Sequence, residues 1–307
     1  MEIEILVTAK VNPDLDGTAC ALAYSFLLKA LGQKAEGILF GQLQAETLFF
    51  VEKFGAVIPV QKDSGIGNWK QFVLVDASSM VGMTKIVTAD GVIEVIDHRE
   101  TSGGSEFPNA KAQNELVGAA ATLVWERLSS AGVNLPKNIA LLIYGAIFHN
   151  SLNLLASNTT ERDRKAVKEL ETTYGFNQDI IEGMFRYCTS FAMGNLEQAV
   201  RIDMKEYLEI GWGQLILSEI HDSALAKERA IEATLTTHSQ QNGLSFSFLN
   251  LIDVNTNESL LFCSSPKGKE LITKALGIEF AGDWARRTPA LLRKQIMPRI
   301  KEILAKK

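Results

Sequence analysis

Asn12-Pro13-Asp14-Leu15-Asp16-Gly17 follows the apolar run Ile3 to Thr8 and precedes a stretch with helical apolar spacing, Thr18 to Leu31, that Gly32 stops. Strand, acidic turn and helix in that order put two carboxylates at the carboxyl end of a strand. Two later apolar runs end the same way: Phe72-Val73-Leu74-Val75 leads into Asp76, and Val92-Ile93-Glu94-Val95-Ile96 leads into Asp97-His98-Arg99. In an open parallel sheet these ends share one edge, where ligand crevices lie, so distant acids converge there. Asp14, Asp16, Asp76, Asp97 and His98 are therefore one candidate site. Oxygen donors suit a hard divalent cation such as Mg²⁺ or Mn²⁺, and the nitrogen of His98 suits Mn²⁺ better. The competing reading makes Asp14 a helix N-cap at a solvated turn and Asp76 the polar end of a buried strand.

Working outward, the first half alternates strand and helix. A strand near Glu36 to Phe40, a helix near Ala45 to Phe54 and a helix from Gly118 to Ala131 fill the spaces between the acidic strand ends. Such alternation predicts βαβ units, an α/β fold and a mostly parallel sheet with helices on both faces. Gly103-Gly104 and Pro108 mark a loop. Leu141 to Ile147 fits a buried strand or an apolar helix equally, and Thr159-Thr160-Glu161-Arg162-Asp163 opens a charged helix with a threonine cap. The pattern loosens around Thr189 to Asn195. Beyond it come strand-like runs, Glu206 to Ile210, Trp212 to Glu219, Leu244 to Val254 and Leu260 to Cys263, and a basic last helix from Pro289 to Ala305. Two domains are expected, 1–190 and a smaller α+β domain, 191–307.

Composition bounds the function. The 307 residues are 46% hydrophobic and 22% charged, with a net charge of -5, which argues against a general nucleic-acid surface. No apolar run approaches the roughly 20 residues that span a bilayer, and the amino terminus lacks a secretory pattern, so a cytoplasmic protein is expected. Cys20, Cys188 and Cys263 are expected to be buried thiols. His149, His221 and His238 read individually as core or surface histidines.

The motifs Asn12-Pro13-Asp14-Leu15-Asp16, Leu74-Val75-Asp76 and Ile96-Asp97-His98-Arg99 resemble the first three motifs of the DHH phosphoesterase superfamily. The resemblance is strongest to the family II, manganese-dependent inorganic pyrophosphatases and extends over nearly the whole chain. Val117 to Val124 is similar to their glycine-led helix motif, and Gly145 to Thr160 to their fourth motif. Asp203 to Tyr207 and Arg293 to Pro298 resemble phosphate-gripping segments of the DHHA2 domain. The resemblance implies Mn²⁺ or Mg²⁺ held by Asp14, Asp16, Asp76 and His98, with Asp76 between two ions. It further implies a pyrophosphate or polyphosphate substrate gripped by Lys205, Arg293 and Lys294 in an interdomain cleft, and a homodimer.

The chain departs from that pattern at four positions. Lys10 stands for a histidine ligand, Arg99 for a second histidine, Asn150 for an aspartate ligand and Leu292 for an arginine. An ammonium cannot coordinate a cation, and an asparagine offers only a neutral carbonyl oxygen. Three functions fit: a divergent phosphoanhydride hydrolase with an incomplete or single-metal site, in which Lys10 supplies charge in place of part of a cation and Arg99 meets phosphate; a pseudoenzyme that binds a phosphorylated ligand or partner; or a phosphoesterase acting on polyphosphate or phosphomonoesters. His149, beside Asn150, is a further candidate for the missing ligand.

Overall fold

The computed structural model describes residues 5–61, 69–99, 106–219, 224 and 226–305, so the loop at Gly103-Gly104 and His221 lie outside the described residues. The chain divides into two compact units, Met1–Met184 and Phe185–Lys307. The division falls within a helix that runs through the stretch where the sequence pattern loosens, Gln178–Gly194.

The first unit is an α/β layer structure. Its sheet has the order β2-β1-β5-β6-β7, made of Ala35–Gly37, Ile5–Thr8, Gln71–Val75, Val92–Asp97 and Lys111–Asn114, and every pairing is parallel. A separate parallel pair, β3 (Leu39–Phe40) and β4 (Val60–Gln61), breaks the single strand expected from Glu36 to Phe40. Strand order reverses at β1, whose neighbours are β2 on one side and β5 on the other, and crevices in open sheets form at such switch points. The carboxyl ends of β1, β5 and β6 thus carry Asp16, Asp76 and Asp97-His98 to one edge.

Helix α1 (Leu15–Ala30) starts three residues earlier than its apolar spacing predicts, because Asp14 caps it. It is buried on most of its surface, so its sequence carries small and apolar residues all round and almost no amphipathic stripe. The ambiguous run Leu141 to Ile147 is helical, within α4 (Lys137–Asn150), and is buried on every side, which is why it shows no period. Gly145 lets α4 approach its neighbours: a β-carbon there would stand 2.4 Å from the Phe50 ring and 3.1 Å from Leu15. The intervening helices are α2 (Ala45–Phe54) and α3 (Ala120–Ser130), followed by α5 (Glu161–Tyr174) and α6, the helix Gln178–Gly194. Leu6, Phe40, Phe72, Leu74, Val92 and Val95 form the core on one face of the sheet.

The second unit is a mixed α+β layer. Its sheet has the order β12-β13-β11-β10-β9-β8, antiparallel except for the β9–β10 pair. The expected run Glu206 to Ile210 is a hairpin instead: β8 (Lys205–Tyr207) turns through Leu208 and Glu209, both at positive φ, into β9 (Ile210–Leu217). β10 (Phe246–Asp253), β11 (Glu258–Phe262), β12 (Phe280–Ala281) and β13 (Trp284–Arg287) complete it. Helices α7 (Leu196–Asp203), α8 (Glu228–Gln241), α9 (Pro266–Leu276) and α10 (Arg293–Ala305) accompany the sheet. The last begins four residues after the predicted start at Pro289. Trp212 and Phe248, ring centroids 4.5 Å apart, anchor a core with Phe246, Ile272, Ile296 and Ile300. The three cysteines are buried thiols outside any disulfide among the described residues, and no described helix is long and apolar enough to cross a membrane.

Candidate metal centre

Each acidic strand end delivers its side chain differently. After β1 the chain passes through Asn12 at φ 56°, and Asp14 becomes the N-cap of α1, its Oδ1 accepting the Gly17 amide at 3.0 Å. The buried Glu46 accepts the neighbouring Leu15 amide at 3.2 Å. Asp16, one step into the helix, turns inward and is 2% exposed. Its Oδ2 and Oδ1 accept the amides of Ala120 and Ala121, each at 2.8 Å. The first turn of α3 has no capping side chain of its own, so Asp16 satisfies its orphan donors and sits at the positive end of its dipole.

Asp76, immediately after β5, adopts φ 50°, a conformation uncommon outside glycine and asparagine, and its amide still donates to Ile96 O at 2.9 Å. His98 follows β6. Its Nδ1 lies 3.2 Å from Val117 O, an acceptor only, so Nδ1 donates to it and Nε2 points inward. Nε2 is 3.3 Å from Asp76 Oδ1 and 3.8 Å from Asp16 Oδ2. One donor atom from each of Asp16, Asp76 and His98 lies within 4.8 Å of the others, all buried. This is the grouping the sequence predicts, without Asp14 and Asp97 among the converging atoms. Asp97 instead accepts the His98 amide at 2.8 Å through Oδ1, while its buried Oδ2 has no hydrogen-bond partner among the described residues.

The substituted positions surround this trio. Asn150, at the end of α4, donates its Nδ2 to Asp16 Oδ2, whereas the sequence reading offers its carbonyl oxygen as a ligand. The chain leaves α4 through three consecutive residues at positive φ, Leu152, Asn153 and Leu154, with the Ser151 hydroxyl accepting the Leu154 amide at 3.1 Å. Arg99 donates Nη2 to the Asp76 carboxylate and to Asp76 O at 3.0 Å, and its Nε lies 3.4 Å from Asp97 Oδ1. Arg99 thus contacts Asp76 directly, alongside the charge of Lys10 that the sequence points to. Lys10 acts on Asp76 through its charge, and its stem lies beside Gly82, whose β-carbon would be 3.7 Å away. Lys205 opens β8 in the second unit, and Lys294 lies in the first turn of α10. Arg293 is already paired, with Asp203, and lies over the Trp212 ring at 6.0 Å.

Burial, then the charge of Asp76, pushes the Asp16 carboxyl up to about 7 against the opposing effects of His98 and the Ala120 amide. Burial also acts to raise Asp76, but Arg99, His98 and Lys10 together hold it well below the usual carboxylate range. Burial would lower the Arg99 pKa, yet Asp76 and Asp97 raise it. Burial pushes the Cys20 thiol up, and its Sγ meets Asp16 Oδ1 at 3.5 Å as a neutral group, not a thiolate ligand. His149 is held neutral by burial, its pKa lowered to about 4, and it is not one of the converging donors. Two buried carboxylates and an inward imidazole nitrogen fit a hard divalent cation.

Asp163 supports the site from outside and is not among the candidate residues of the sequence reading. It accepts the Gly118 amide at 2.9 Å, the Thr122 hydroxyl at 2.6 Å and both the amide and hydroxyl of Thr160 at 2.7 Å. Its signal was present as the fourth residue of a Thr160-to-Asp163 capping box.

Residues 4–147 match the N-terminal domain of the DHH family. That match lies within the first unit. Among relatives, a probable manganese-dependent inorganic pyrophosphatase of Bacillus licheniformis is 27% identical over 98% of this chain and 99% of its own. Another from Lactobacillus delbrueckii is 27% identical over 97% of each. A crystal structure of a Methanococcus jannaschii protein, assigned as a family II inorganic pyrophosphatase, has a TM-score of 0.80 at 21% identity, covering 97% of this chain and 98% of that one. An exopolyphosphatase-related protein from Bacteroides fragilis has a TM-score of 0.52 at 14% identity over 99% and 92%. At these identities the structural likeness is one of fold. The DHH resemblance of the strand-end motifs is thus borne out.

Proposed function

We propose that this DHH-domain chain is a metal-dependent phosphoanhydride hydrolase of the inorganic pyrophosphatase kind. The observation that carries the reading is the buried trio of Asp16, Asp76 and His98, with Nε2 of His98 turned inward by Val117. End-to-end similarity to probable manganese-dependent inorganic pyrophosphatases supports the substrate class.

Asp16, Asp76 and His98 would hold Mn²⁺ or Mg²⁺, which supplies Lewis-acid charge to a phosphoryl oxygen and acidifies a water nucleophile. The α3 amides fix Asp16 and keep it from rotating away, and Val117 fixes the imidazole. Arg99, with 30% of its side chain exposed, and Lys10 add positive charge for an anionic substrate. Asn150, turned over, would present its carbonyl oxygen where it now presents its amide. Lys205 and Lys294 are the proposed phosphate contacts of the second unit, with Arg293 constrained by Asp203.

The test is phosphate release from pyrophosphate, tripolyphosphate and simple monoesters with Mn²⁺ or Mg²⁺. Release from pyrophosphate above the other substrates is expected. Preference for tripolyphosphate or a monoester would move the assignment to another phosphoesterase. Absence of turnover on all of them, with anion binding retained, would favour a binding protein; the Arg99–Asp76 pair, which already neutralises part of the site, favours that second reading.

A further inference from the structure

Asp76 Oδ1 has two partners. Toward Asp16, its Oδ1 faces Nε2 of His98 at 3.3 Å, and these groups are the converging donors. Arg99 bonds the same oxygen and the Asp76 main-chain carbonyl, and its Nε approaches Asp97 at 3.4 Å. The guanidinium is therefore seated between the ends of two adjacent strands, β5 and β6, and its fork reaches both acids.

We infer that the DHH site of this chain takes a single divalent cation and that Arg99 is the built-in second cation of Asp76. Charge and geometry agree on this. Four carboxylates, Asp14, Asp16, Asp76 and Asp97, belong to these strand ends, and one divalent ion with Arg99 and Lys10 balances them. A further divalent ion on Asp76 would stand beside a guanidinium that is always charged. It would also add excess positive charge to a largely buried site, where screening is weak. Arg99 differs from a bound ion in being permanent: it holds Asp76 and its left-handed backbone whether or not metal is present.

The inference rests on the metal-site part of the proposed function but not on turnover. Mn²⁺ is titrated into the metal-stripped full chain, with bound metal counted by elemental analysis and its environment read by electron paramagnetic resonance. One equivalent with the six-line signal of an isolated ion is expected, and Arg99→Gln should take up a second equivalent and give a spin-coupled signal. Arg99→Lys, which retains the charge, should remain at one equivalent and covers the case in which the glutamine variant does not fold. Two equivalents in the unmodified chain, none at all, a glutamine variant that folds and stays at one, or a lysine variant that takes two would overturn the inference. One bound ion without phosphate release would sink the hydrolase reading alone; phosphate release with two bound ions would sink the role of Arg99 alone.

Discussion

The carboxylate of Asp163 lies 3.0 Å from the point where a β-carbon on Gly118 would stand, so this glycine is required by the acid it faces. Asp163 cannot readily retreat, because Thr122 and Thr160 hold it as well. The contact sets the approach of α3, and the next two helical amides of that segment hold Asp16.

Gly118→Ala should therefore destabilise the first unit by about 1–3 kcal/mol through overpacking, outweighing the smaller entropic gain of losing a glycine. The measurement is a shift of the urea midpoint to lower concentration, accompanied by weaker Mn²⁺ binding. An unchanged midpoint would mean that Asp163 yields without cost.

Asp76→Asn should abolish tight Mn²⁺ binding and lower any phosphate release by at least about 10²-fold while leaving the fold intact. Asparagine tolerates the left-handed backbone at this position, so the loss would be one of charge. Metal analysis, phosphate release and a thermal melt on one preparation separate the two causes. Full activity in the variant would remove Asp76 from the site.

Lys10→His together with Asn150→Asp should raise Mn²⁺ affinity roughly tenfold or more, since one change removes a positive charge beside Asp76 and the other adds a carboxylate beside Asp16. Calorimetric titration of the single and double variants checks it. Affinity no higher than that of the unmodified chain would count against the placement of both residues.

His149 predicts an acid-sensitive fold. Its folded pKa, about 4, lies below the ordinary 6.5, so between these values the unfolded chain binds more protons and stability falls as pH falls. This residue alone should make the chain about 3 kcal/mol less stable at pH 4 than at pH 7. Comparing denaturation with His149→Gln at both pH values isolates the effect, because glutamine takes up no proton. Parallel pH dependences would show that the imidazole is solvated.

Much of the first unit was legible because buried parallel strands read as continuous apolar runs, as β5 and β6 do, and because an acid or an Asp-His pair ends them. The edge strand β7, Lys111–Asn114, gave no such signal, since a polar, largely exposed strand has no apolar run to show. In the second unit the positive φ of Leu208 and Glu209 turned one expected strand into a hairpin, and neither residue advertises that conformation. At the site, residue types pointed to Asp16, Asp76 and His98, but not to the amides of Ala120 and Ala121, which carry no side-chain signature. Nor could spacing show that Arg99 reaches Asp76. That depends on the backbone at Asp76 and the direction in which the chain leaves β6.

The engagement of the α3 amino terminus by Asp16 also constrains how the proposed anionic substrate would be received. Helix starts commonly serve as phosphate cradles, binding through main-chain amides that salt screens only weakly once buried. Here the first two helical amides hold an internal carboxylate. Under the proposed function, a phosphorylated ligand at this helix start would be held by side-chain cations and metal, so its capture should weaken as ionic strength rises.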